Sequence, residues 1–389
     1  MLELLFLLLP VAVGYGWVMG RNSLRQAQRK QSSILSKHYY RGLNFLLSEQ
    51  PDKAVDTLIK MIDLNNDTVE THIAMGNFFR HRGELDRAIR VHQNLVSRDE
   101  IPPVQRENAL RELGRDYTQA GFLERAENAY LQLLNSDQHY IDAQTNLFKI
   151  YQTTKEWDRA IELAERMVEC HGDDNDILIK LAHFYSEQAA VSLQNDDQEK
   201  AAHELQKATE SDEKAVRPWL MLGELAIERK VYQDAFDCLK EVAKRDISWI
   251  SEAIPLLEKC AQETGDWNEF ESILDQYGSV CAASYLAKVN LMAQRGEVEE
   301  ATAMLYEQLR KKPTMKGFAT LMRLYITQQK QDPASSSLAQ LKGLVEQQML
   351  QRPKYRCGNC GFSGRKVYWL CPSCKKWGVV KPIKGLDGE

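Results

Sequence analysis

An all-α chain of repeated helical hairpins, with an apolar segment at its start and a cluster of cysteines at its end, is what this sequence predicts from three observations. Ala, Leu, Glu, Gln and Arg recur at helical spacing, while only 21 Gly and 11 Pro are spread over 389 residues, which leaves little room for strands. A small residue and an aromatic return together at nearly constant intervals. Four of the eight cysteines crowd between Cys357 and Cys374. At 43% hydrophobic and 27% charged, the chain is too apolar to be largely disordered and long enough for two or three domains.

The apolar segment comes first. From Leu4 to Gly20 no charge interrupts the run, which is at the short end of what spans a bilayer. A cleaved leader would carry a basic start and an A-x-A site; here Glu3 stands at the start and no such site precedes Arg21, so residues 1–20 are expected to stay attached as a transmembrane anchor. Residues 21–35 form a basic linker, and Arg21, Arg25, Arg29, Lys30 and Lys37 fix the orientation: cations flanking a span stay on the cytoplasmic side, which puts the N-terminus outside. Ala12, Gly16 and Gly20 recur every four residues and would let a partner membrane helix approach closely.

Residues 36–350 hold the repeats, about nine of them. Gly42, Phe45 and Ala54 are followed by Gly76, Phe79 and Ala88, then by Gly114, Tyr117 and Ala126, with extra residues around Ile101-Pro102-Pro103. Phe148, Tyr151 and Ala160 come next, then Ala182 and Tyr185, whose second helix starts late at Ala201 after Gln194-Asn195-Asp196-Asp197. Trp219 to Gly223 give the W-x2-L-G signature of a tetratricopeptide repeat, and weaker copies follow around Phe270, Ala301 and 316–350. Each unit is a hairpin too small to bury its own apolar faces, so neighbours must stack into a superhelix with a groove for protein partners. Cys170, Cys238, Cys260 and Cys281, alone in helical patterns, are expected to be small buried hydrophobes.

The tail, residues 354–389, reads Cys357-x2-Cys360, ten residues, then Cys371-x2-Cys374. Two such pairs present four thiolates, which suit one tetrahedral metal ion, and a closed set of four protein ligands implies a structural rather than a catalytic site. Zinc and iron both accept four thiolates. Gly358, Gly361 and Pro372 fit turns that aim backbone N–H groups at the sulfurs. The tail's cations with Tyr355, Phe362, Tyr368, Trp369 and Trp377 fit either docking on the repeats or a nucleic-acid-binding module.

Charge and missing motifs bound the function. The net charge of −5 combines about +5 after the span, about +6 in the tail and about −15 in residues 38–353, so an acidic middle lies between basic ends. No Walker A loop, G-x-G-x-x-G, H-E-x-x-H or G-x-S-x-G occurs, the histidines all lie between residues 38 and 203, and Asp173-Asp174-Asn175-Asp176 reads as a helix cap rather than a cation loop. An enzyme is not expected.

In this order, an anchor, tetratricopeptide repeats and a C-x2-C-x10-C-x2-C knuckle, the chain resembles the lipopolysaccharide assembly protein B family of Gram-negative bacteria over its whole length. The knuckle by itself is similar to rubredoxin metal sites, with a much shorter spacer, and also resembles the zinc ribbon of a bacterial recombination ATPase. The family resemblance implies an inner-membrane adaptor that promotes degradation of the lipid A pathway deacetylase LpxC by the membrane AAA protease FtsH, or a scaffold that gathers lipopolysaccharide synthesis or transport proteins. Carried onto this chain, it implies Cys357, Cys360, Cys371 and Cys374 as ligands of one metal ion, with iron favoured by the rubredoxin likeness and zinc possible.

Overall fold

In the computed structural model, the described residues are Met19, 69–172, 174–278, 281–328 and 333–386. They form two compact units that divide between Thr153 and Thr154. The expected anchor and linker and the hairpin of Gly42, Phe45 and Ala54 lie outside the described residues, apart from Met19. Among the described residues, no helix is long and apolar enough to cross a membrane.

The first unit contains α1 (Val69–His81), α2 (Leu85–Val96), α3 (Pro103–Ala120), α4 (Leu123–Leu133) and α5 (Tyr140–Thr154), of which α1 pairs with α2 and α3 with α4. The second unit begins with α6 (Trp157–His171) and continues with the hairpins α7 (Asn175–Gln194) with α8 (Gln198–Ser211), α9 (Arg217–Glu228) with α10 (Tyr232–Arg245), and α11 (Ile250–Thr264) with α12 (Trp267–Tyr277). It then carries α13 (Ala282–Gln294) with α14 (Val298–Lys311) and α15 (Met315–Gln328) with α16 (Pro333–Gln351). A 3-10 turn, Ile247–Trp249, leads into α11.

One local device ends the first helix of these hairpins. Gly83, Gly121, Asp196, Lys230, Gly265 and Gly296 all take left-handed φ angles between 62° and 95°. After most of them, the next residue donates its N–H to a carbonyl five residues back, as in Phe122 to Tyr117, Asp197 to Ser192, Val231 to Ala226 and Glu297 to Met292. This is the Schellman closure, which satisfies carbonyls that the helix end leaves open. It persists at Gly296, where the repeat signature in the sequence has decayed. The late start at Ala201 has a simple cause: α7 runs on to Gln194 before the turn, and Asp197 then caps α8 by accepting the Lys200 N–H at 3.1 Å. Asp174 caps α7 by accepting from Asp176 N–H, as the acidic run predicted.

The small residue of each repeat makes room for its hairpin partner. A Cβ added to Gly76 would fall 2.3 Å from His92 Nε2, one on Gly114 would fall 2.9 Å from Tyr130 Cζ, and one on Gly223 would fall 2.7 Å from Leu239. His92 is fully buried; its Nδ1 meets Asp116 Oδ2 at 2.5 Å, and Arg80 bridges Asp116 at 2.9 Å and Glu112 at 2.6 Å. Replacing Gly76 with Ala should therefore push the imidazole off Asp116. Overpacking alone costs about 1–3 kcal/mol, and the disturbed buried ion network adds to it. Thermal unfolding should show the loss in the first unit and leave the second unchanged.

The lone cysteines correct one expectation. Cys260 is buried, but Cys238 and Cys281 are only half-buried and Cys170, in the last turn of α6, is exposed. An apolar residue in a helical pattern reaches the core only if its face does.

Candidate metal centre

The tail folds into a small three-stranded antiparallel sheet, β1 (Tyr355–Cys357), β2 (Ser363–Gly364) and β3 (Val380–Pro382), in the order β2-β1-β3. Among the described residues, this departs from an all-α chain only in the tail, where turns set by the cysteine pairs leave segments too short for helices.

The two cysteine pairs are turns of one design. In the first, Gly361 N–H donates to Cys357 O at 3.0 Å and Cys357 N–H to Phe362 O at 2.7 Å; in the second, Lys375 N–H donates to Cys371 O and Cys371 N–H to Lys376 O, each at 2.9 Å. Both turns need a left-handed residue, supplied by Gly361 (φ 77°) and by Lys375 (φ 56°). The amides aimed at sulfur include those of Phe362, toward Cys360, of Ser373 and Cys374, toward Cys371, and of Lys376, toward Cys374. Gly358, expected to serve in this way, instead donates to Val379 O at 2.8 Å and ties the first turn to β3.

These turns bring all four sulfurs within 4.8 Å of one another. Cys357 Sγ lies 3.7 Å from Cys374 Sγ, and Cys360 Sγ lies 3.7 Å from Cys371 Sγ. A tetrahedron of sulfurs around an ion at about 2.3 Å has edges of about 3.8 Å, so the cluster fits a four-thiolate metal. The Phe362 amide pulls the Cys360 thiol down to about 6, whereas burial pushes Cys371 up to about 11. No histidine or carboxylate joins the four sulfurs among the described residues.

The ribbon is packed on the repeats of its own unit. Tyr355, Cys357, Cys371 and Val380 share one buried cluster with Leu239, Trp249, Ile250, Leu257 and Phe270. Trp369 stacks on Trp249 with ring centroids 4.5 Å apart, and the Arg217 guanidinium lies 5.5 Å from the Trp369 ring. Trp377 stacks on His183 at 4.8 Å and meets Trp157 and Phe184 edge-on. At the rim, Glu252 accepts from Tyr355 Oη at 2.9 Å and pairs with Lys354 at 2.7 Å, while Asp246 pairs with Lys381 at 2.8 Å. Phe362 packs against the same cluster as Trp369, so four of the five tail aromatics are packed inward, which leaves only Tyr368 exposed for the base stacking that a nucleic-acid platform needs.

Reading the sequence placed no histidine near the tail, and His183 is the residue it missed. Burial, with Arg217 nearby, pushes His183 down to about 3. Because the folded ring resists a proton that the unfolded chain accepts near 6.5, its contribution is complete above that value and is lost as the pH falls toward 3. The second unit should lose about 2 kcal/mol between pH 7 and pH 5 from this ring alone. Asp246, held below the usual carboxylate range by Lys381 and Ser248 against the effect of burial, adds a loss in the same direction at lower pH. Denaturant titrations at both pH values isolate the imidazole: in His183→Phe the difference should shrink by about that amount.

Comparison with known proteins covers both parts of the chain. The family described as "Rubredoxin metal binding domain" matches residues 355–382, and the one described as "Tetratricopeptide repeat" matches residues 71–102. The chain is 39% identical over 393 aligned residues to "Lipopolysaccharide assembly protein B" of Escherichia coli (strain K12), covering 100% of each chain. It is 36% identical over 398 aligned residues to the protein of that name from Haemophilus influenzae, again covering 100% of each.

Proposed function

Since the chain belongs to the lipopolysaccharide assembly protein B family, we propose that it is a membrane-anchored adaptor that regulates lipopolysaccharide synthesis by presenting the deacetylase LpxC to the protease FtsH. The observation that carries this reading is the match along the full length of both chains, with a fold made of stacked hairpins that offers binding surfaces. Its work is binding rather than catalysis. Residues 1–20 hold the protein at the inner membrane, with the N-terminus periplasmic and the bulk cytoplasmic, where tethering raises the effective concentration of client and protease.

In this reading Cys357, Cys360, Cys371 and Cys374 ligate one metal ion, with iron favoured over zinc by the rubredoxin likeness. The ion would supply a cross-link between two turns that otherwise have little core of their own. The chain's own residues do the rest: the amides of Phe362 and Lys376 orient two sulfurs, and Trp369, Trp377 and Tyr355 seat the ribbon on the repeats.

The test is the half-life of LpxC after depletion of this protein in a strain that retains FtsH. A several-fold longer half-life is expected; an unchanged one would sink the adaptor reading and favour a scaffold for lipopolysaccharide synthesis or transport proteins. A form beginning near Gln31 should fold yet lose most of the control, and full complementation by it at native abundance would count against the anchor.

A further inference from the structure

The ribbon carries a cleft that its docking on the repeats leaves unused. Pairing of β1 with β3 places Arg356 directly opposite Lys381, and both side chains face outward because Tyr355, Cys357, Val380 and Pro382 alternate inward. Like charges directly opposite on a sheet repel. Asp246 answers Lys381, but neither Arg356 nor Lys384 has an ionic partner among the described residues. Together with Val379 and Ile383, these three cations line a cleft of about 750 Å³, and an adjoining cleft of about 460 Å³ shares Arg356, Ile383 and Lys384. No carboxylate lines either one among the described residues.

We propose that this joined cleft binds an extended acidic segment of a partner protein, with carboxylates against Arg356 and Lys384 and an apolar side chain over Val379 and Ile383. Charge complementarity carries the assignment: an acidic strand relieves the Arg356–Lys381 repulsion and supplies carboxylates, of which the described lining has none. The apolar floor selects a peptide over a free phosphate, which would match the cations and leave Val379 and Ile383 wet. The proposal goes beyond the adaptor reading and does not depend on which client is bound.

The probe is a fluorescein-labelled peptide of alternating glutamate and leucine, titrated with the full chain in neutral detergent micelles and read by fluorescence anisotropy. Affinity should fall at least tenfold in the double variant Arg356→Glu/Lys384→Glu and stay unchanged in Lys311→Glu/Lys366→Glu, whose exposed lysines lie outside the cleft. Retention of one equivalent of metal by each variant shows that the ribbon remains folded. Should the first variant lose its metal, Arg356→Gln/Lys384→Gln carries the test, with a smaller but measurable loss expected. No binding, or equal loss in both double variants, overturns the proposal. So does displacement of the peptide by phosphatidylglycerol mixed into the micelles, which would assign the cations to a lipid surface.

Discussion

Replacing Cys371 and Cys374 with Ser is expected to remove one equivalent of metal and to destabilise the whole second unit, not only the ribbon. Of the four cysteines, Cys357 and Cys371 belong to the same buried cluster as residues of α9 to α13. Without the ion the two turns keep only their backbone bonds and their packing, since a structural four-thiolate ion contributes on the order of 10 kcal/mol to folding. Loss of the ribbon then uncovers Trp157, Phe184 and Trp249, which are otherwise almost fully buried. A tail hung on independent repeats would leave the helices indifferent to metal; the shared core argues against that modularity. Far-ultraviolet circular dichroism should fall only modestly, while the unfolding midpoint of the second unit drops by many degrees and that of the first stays put. On the adaptor reading, LpxC should accumulate in cells carrying the variant. If metal is lost while the second unit melts as before, the shared core has no energetic weight.

The substitution Trp377→Ala separates seating from metal binding. Trp377 is 9% exposed and touches His183, Trp157 and Phe184, so the ring is a wedge between ribbon and repeats. Truncating a buried tryptophan costs about 3–5 kcal/mol. It ligates nothing, and the backbone bond from Gly378 N–H to Trp369 O at 2.8 Å remains to close its turn. The variant should keep its metal, lose the near-ultraviolet signal of the stacked tryptophans and, on the adaptor reading, lose control of LpxC. Normal regulation by a form that holds metal but exposes Trp369 to quenchers would show that seating on the repeats is dispensable.

Much of this protein is written in local pattern. The helix pairs follow from Gly76, Phe79 and Ala88 and their counterparts because helix formation, close crossing and turn closure depend on residues within a few tens of positions. The two turns of the knuckle are likewise local: Cys357 to Phe362 and Cys371 to Lys376 close on themselves, so spacing alone brought four sulfurs into view. That Lys375 would take the left-handed position given to Gly361 in the first turn was not legible, since a lysine there has no preference for it.

What the sequence by itself determined, then, is the hairpin period, the four-cysteine set and the family. Only the tertiary structure decided where the ribbon sits and what it leaves open. Tyr355 meets Glu252 and Lys381 meets Asp246 across 103 and 135 residues of chain, and His183 reaches Trp377 from a different repeat. The pairing of Arg356 with Lys381, and the cleft beside it, likewise arise from strand register. The reason is physical: repeat signatures fix contacts within and between neighbouring hairpins, whereas a seat for the ribbon forms only when several hairpins have stacked and their separate surface residues converge on one patch.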